Sequence, residues 1–89
     1  MPTHHPPEDV WRHLTIAQVE VLACLARGLT QREAAEALGI TPGSVRSTVA
    51  TLRRLTGFRR GADMGAWWEG FAERYVLQVA RAAGARFGA

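Results

Sequence analysis

Three consecutive segments of this chain are each opened by a threonine and closed by a glycine, and that punctuation constrains the fold more than any other feature. Thr15 is followed three residues on by Gln18, the spacing of a capping box, and Val19, Leu22, Leu25, Ala26 and Leu29 recur at intervals of three and four. A helix is predicted from Thr15 to about Arg27, stopped by Gly28. Thr30 and Glu33 repeat the box, and Ala34, Ala35 and Leu38 give a short second helix an apolar side before Gly39. Thr41 as N-cap with Pro42 at the first helical position opens a third helix, expected to end near Thr56 and Gly57.

A last helix is predicted from near Ala62 or Asp63 to about Ala83. Met64, Trp68, Phe71, Tyr75 and Val79 form a stripe along it, with Trp67 and Val76 beside them. No strand-like alternation occurs, so the chain reads as all-α. At 89 residues, nearly half of them hydrophobic, it has material for one modest core. The expected organisation is a flexible arm over 1–12, from which Val10 and Trp11 fold back, a core over 13–60, and an aromatic helical segment over 61–89.

Charge is segregated along the chain. The net charge is +3, yet residues 37–62 hold five arginines and no acid, so the rest is net acidic. Within the third helix Val45, Val49, Leu52 and Leu55 are expected to pack, while Arg46, Ser47, Ala50, Arg53 and Arg54 face outward. Two short helices joined by "GITPG", the second with a basic, small-residue outer face, match a helix-turn-helix. Small residues such as Ser47 and Ala50 let such a helix approach the major groove, and Arg46 can reach a guanine edge or a phosphate. Thr41, Ser44 and the free N–H groups of the first turn suit a phosphate. Arg53, Arg54, Arg59 and Arg60 read as backbone clamps. The competing reading is a solvated cationic surface.

Residues 14–58, "LTIAQVEVLACLARGLTQREAAEALGITPGSVRSTVATLRRLTGF", resemble the DNA-binding domain of LuxR-type transcriptional regulators. The likeness rests on the opening "LT", the "VLACLARGLT" block, the "EAAEALGIT" scaffold and a closing segment that continues into "GADMGAW". It implies an all-α, four-helix LuxR-like helix-turn-helix domain, here with an extended C-terminal helix, in a small bacterial transcription regulator that binds double-stranded DNA and needs no cofactor. By that resemblance Arg46, Ser47 and Ala50 occupy the main groove-facing positions, and Thr41 and Ser44 the helix-start positions. The chain departs from the family at Ala17 and Gln18, where an Arg-Glu pair is usual, at Thr48, where histidine is common, and at Ala50, where a basic residue is frequent. "LGITPGSVRSTVATLRRL" is also similar to region 4 of alternative sigma factors.

The family's fourth helix commonly forms a dimer contact, which implies a homodimer through the C-terminal helix. Met64, Trp67, Trp68, Phe71, Tyr75 and Val79 are the expected dimer or partner interface, aromatic residues being enriched at such contacts. At least Trp68 and Phe71 must also cover the chain's own core. A different class of function fits the same residues: an adaptor that keeps the scaffold and uses the aromatic helix to capture another regulator or RNA polymerase.

Other classes find less support in the residues. There is no paired-carboxylate site, no cysteine and histidine constellation and no glycine-rich phosphate loop, so an enzyme is not expected. His4 and His5 lack the further ligands that zinc requires, so no metal site is expected. Cys24 is the only cysteine, which excludes an internal disulfide and points to a small buried apolar residue in a reducing compartment. No signal-like or membrane-spanning run is present, and Glu69 and Glu73 on the last helix would be repelled by an anionic bilayer. The protein is expected to be cytoplasmic.

Overall fold

Each threonine caps the helix it precedes. In the computed structural model, which describes residue 6 and residues 9–86, Thr15 opens α1 (Ile16–Ala26), Thr30 opens α2 (Gln31–Leu38) and Thr41 opens α3 (Pro42–Thr56). The first two caps are reciprocal boxes: the Gln18 N–H donates to Thr15 Oγ1 at 3.1 Å, and the Thr15 N–H donates to Gln18 Oε1 at 2.9 Å. Thr30 and Glu33 make the same pair of bonds at 3.1 and 2.9 Å. A cap of this kind contributes about 1 kcal/mol. Gly39 and Gly57 end α2 and α3 at φ +68° and +79°, a left-handed geometry that strains any residue with a Cβ.

Glu33 makes this grammar sensitive to pH. The backbone N–H of Thr30 and then its side chain hold the Glu33 carboxyl below the ordinary glutamate range. A depressed folded-state pKa means the cap is fully present above the unfolded value and is lost as pH falls through the folded one. The contribution of this cap to the wild-type thermal midpoint is therefore lost as pH falls below the ordinary glutamate range. The Glu33→Gln variant, whose amide oxygen accepts the same bond at every pH, loses part of that dependence when midpoints are measured across the acid range.

The described residues form five α-helices and a 3-10 turn, with no strand. α1 is the centre. It packs against α2, α3 and α4 (Gly61–Glu69), and Val21, Leu22, Cys24 and Leu25 are all buried on it. That is more of its circumference than the expected single stripe, and it explains why only Gln18 and Glu20 on this helix are polar. Val19, Ala26 and Leu29 pack at the edge of the core rather than within it. Ala34 and Ala35 bring α2 close, and Val45, Val49 and Leu52 seat α3.

Leu55 departs from expectation. It is 44 % exposed, and Thr56 is buried in its place. The stripe Val45, Val49, Leu52 continues by four residues to Thr56, while Leu55 lies about a quarter turn round. The Thr56 hydroxyl is accommodated because it donates to the Leu52 carbonyl at 2.7 Å and accepts from the Phe58 N–H at 3.2 Å.

The predicted single C-terminal helix is two helices. α4 ends at Glu69 and α5 (Ala72–Arg86) begins after an elbow at Gly70 and Phe71. The N–H groups of Gly70 and Phe71 bond to the carbonyls of Trp67 and Trp68, both at 3.1 Å, so the last turn is tightened to three-residue spacing. Glycine weakens a helix interior by about 1 kcal/mol relative to alanine. The bend places Phe71 against three tryptophans: stacked on Trp11 at 5.5 Å between ring centroids, and edge-on to Trp67 at 4.4 Å and Trp68 at 5.1 Å. A periodic stripe does not distinguish a straight helix from this bent one.

Trp11 belongs to a 3-10 turn, Val10–His13, and is buried, so residues 9–12 of the expected arm are part of the folded unit. α5 is fastened to this segment by two side-chain bonds. Tyr75 donates its hydroxyl to the Leu14 carbonyl at 2.9 Å, and Gln78 donates to the Arg12 carbonyl at 3.1 Å. Burial pushes the Tyr75 pKa up. His4 and His5 lie outside the described residues.

Candidate nucleic-acid interface

The outer face of α3 carries most of the residues singled out for nucleic acid. Thr41, Ser44, Arg46, Ser47, Ala50, Arg53 and Arg54 are all exposed, as are Arg59 and Arg60 in the segment that follows. At 100° per residue, Ser47 and Ala50 fall opposite the buried Val45, Val49 and Leu52. Gly43 joins them at spacings of four and three and was not foreseen; the periodicity alone would have found it. An added Cβ there meets only Thr41 Oγ1, at 3.9 Å. The line Gly43, Ser47, Ala50 is thus a shallow, small-residue ridge, with Arg46 and Arg53 on one flank and Arg54 continuing the line one turn further on.

The hydroxyls at the helix start divide their work. Thr41 Oγ1 accepts from the Ser44 N–H at 3.1 Å and donates to Ser44 Oγ at 3.0 Å. That leaves the Ser44 O–H to donate outward, beside N–H groups of the first turn that have no carbonyl within the helix. Arg53 Nε donates to the Arg59 carbonyl at 3.0 Å, tying the segment after α3 to its last turn, and Arg54 donates to Thr51 Oγ1 at 3.2 Å. These are contacts to a carbonyl and a hydroxyl. Among the described residues no carboxylate neutralises the arginines of this face, and all of them are exposed.

The aromatic stripe is placed differently from its expected role. Met64, Trp68, Phe71 and Tyr75 are buried in the chain's own core, at 0, 7, 3 and 5 % exposure, so they offer no surface to a second molecule. Met64 and Trp68 lie on α4, which packs on α1, while Phe71 stacks on Trp11 and Tyr75 bonds to the Leu14 carbonyl. Trp67 is half-buried against Phe58 and Phe71. Of the six, Val79 alone is substantially exposed, and it belongs to an apolar strip that the stripe did not reveal. Val76 is 60 % exposed and Ile16 56 %, and with Val79, Ala80 and Ala83 they line an open groove of about 330 Å³. Spacings of three and four from Val76 to Ala83 were present in the sequence, but the larger aromatic residues beside them carried the stronger pattern.

No cluster of three or more potential metal ligands occurs among the described residues, and no helix among them is long and apolar enough to cross a membrane. No protein-family model matches the chain, and neither a curated protein nor a solved structure matches it.

Proposed function

We propose that this chain is a LuxR-like transcriptional regulator that binds double-stranded DNA by laying α3 in the major groove. The observation that carries the reading is the outer face of α3, a ridge of Gly43, Ser47 and Ala50 flanked by arginines with no carboxylate partner among the described residues. A helix about 10 to 12 Å across fits a groove about 12 Å wide only if its leading face is not enlarged by bulky side chains. Arg46 reads or anchors at the groove floor. Ser44 and the first-turn N–H groups hold a phosphate, and Arg53, Arg54, Arg59 and Arg60 clamp the backbone. Two copies joined through the Ile16, Val76, Val79 strip present two such helices to half-sites about one duplex turn apart.

Fluorescence anisotropy on random-sequence duplex DNA across roughly 50 to 300 mM salt tests this, because each neutralised phosphate contributes about 0.9 to the slope of log affinity against log salt. The expected slope corresponds to several contacts per protomer, and Arg53→Ala with Arg54→Ala lowers it by about 1.8. Absence of binding at the lowest salt would sink the reading. The exposed strip on α5 favours a second reading, an adaptor that captures another protein through Val76 and Val79. In that case Arg46→Ala and Arg54→Ala leave function nearly intact, and a charged residue at Val76 abolishes it.

A further inference from the structure

α5 carries a second specialised side. Arg74, Gln78 and Arg81 recur at spacings of four and three, on the side of the helix away from the apolar strip, and face the 3-10 turn. Together with Trp11, Arg12 and Leu77 they line an open groove of about 380 Å³. Two of its three guanidinium groups are held in place, because Arg12 and Arg74 each lie 5.4 Å from the centroid of the Trp11 ring. The bond from Gln78 to the Arg12 carbonyl locks the two walls together. Among the described residues no carboxylate is bonded to Arg12, Arg74 or Arg81, and all three are exposed.

We propose that Arg12, Arg74 and Arg81 form a second phosphate-binding surface, which grips the backbone of the duplex outside the groove that α3 enters. The inference rests on the DNA-binding reading and deepens it. Planar guanidinium forks fixed on an aromatic face are preorganised for phosphate oxygens, so less side-chain freedom is lost on binding. Trp11 is only 8 % exposed, so no base can stack on it, and the groove recognises the backbone rather than an unpaired base. The same 3-10 turn also reaches α3: Asp9, Val10 and His13 line a groove with Leu55 in its last turn, so one segment touches both the helix that carries Arg53 and Arg54 and the helix that carries Arg74 and Arg81. An extended acidic peptide finds no unpaired main-chain edge here, since both walls are helical.

The test uses the full chain and the same anisotropy titration on random-sequence duplex. The triple variant Arg12→Gln, Arg74→Gln, Arg81→Gln is expected to lower the salt slope by about 2 to 3 per protomer, at about 0.9 per contact, with an unchanged circular dichroism spectrum. Since Arg12 and Arg74 also cover Trp11, Arg81→Gln alone is the cleaner variant; it lowers the slope by about 0.9, whereas Arg27→Gln, the same charge removed from the end of α1, leaves it unchanged. Arg81→Lys restores the slope. Wild-type slope in both the triple and the Arg81 variants, while Arg53→Ala with Arg54→Ala lowers it, overturns the second surface and leaves α3 as the DNA contact. Loss of binding to polyglutamate with an unchanged DNA slope overturns it in favour of an acidic protein partner. No binding of duplex by the wild type removes both readings together.

Discussion

Phe71→Ala is expected to lower stability by about 3 to 5 kcal/mol, the range for deleting a buried phenylalanine. Phe71 is 3 % exposed and touches the rings of Trp11, Trp67 and Trp68, which come from the 3-10 turn and from α4. Its removal leaves a cavity at the one point where the N-terminal segment and both C-terminal helices meet. Small domains are stable by only about 5 to 15 kcal/mol in total, so the loss removes a large share of the stability. Urea titration followed by tryptophan fluorescence reads this directly, since all three tryptophans border the lost ring. Phe71→Leu, which keeps much of the volume, should recover more than half of the loss. If Phe71→Ala shifted the transition by less than about 1 kcal/mol, the elbow would not be a packed structure. α5 would then be held to the 3-10 turn by the Tyr75 and Gln78 bonds alone.

The parts of this molecule that were legible in the sequence are those set by local chemistry. Thr15, Thr30 and Thr41 cap because a hydroxyl three residues before an N–H has a near-obligatory geometry, and Gly39 and Gly57 stop helices because the left-handed conformation excludes most alternatives. The outer face of α3 was legible for a related reason: once Val45, Val49 and Leu52 fix the inner side, the arginines have only one direction left. What escaped depends on tertiary partners. The stripe from Met64 to Val79 has the same period in one straight helix as in two bent ones, and the choice was made by Trp11, more than fifty residues away. Burial of Met64 and Trp68 follows from the packing of α4 on α1, and burial of Phe71 and Tyr75 from the elbow. The arginine groove was equally hidden, because Arg12, Arg74 and Arg81 are brought together by tertiary contacts: the Phe71–Trp11 stack and the bonds that Tyr75 and Gln78 make to Leu14 and Arg12. Val76 and Val79 were visible only as part of the aromatic stripe, and Ala80 and Ala83, which complete the exposed strip, are too small to stand out beside Trp67, Trp68 and Phe71.

Gly65→Ala should destabilise the domain, although alanine is the better helix former by about 1 kcal/mol. A Cβ at Gly65 would stand 2.7 Å from both the Cα and the N of Ala26 and 3.0 Å from the carbonyl carbon of Leu25. Those are main-chain atoms of α1, so no side chain can swing aside, and the two helices must separate along their whole contact. Overpacking of this kind costs typically about 1 to 3 kcal/mol, occasionally more, and here it falls on the seam that buries Leu25, Met64 and Trp68 together. The opposite sign is expected at Gly84, also inside a helix, where a Cβ meets nothing within 4 Å. Gly84→Ala should gain about 0.5 to 1 kcal/mol from helix propensity alone. Measuring both variants by thermal unfolding separates the effects, because intrinsic propensity predicts a rise in each and the α1–α4 seam predicts that only one rises. A fall for Gly65→Ala, with the Gly84→Ala rise beside it, would mark Gly65 as the residue that lets α4 lie close enough to α1 for the elbow, and hence α5, to reach Trp11. An equal rise in both would mean that the seam is looser than a 2.7 Å approach allows.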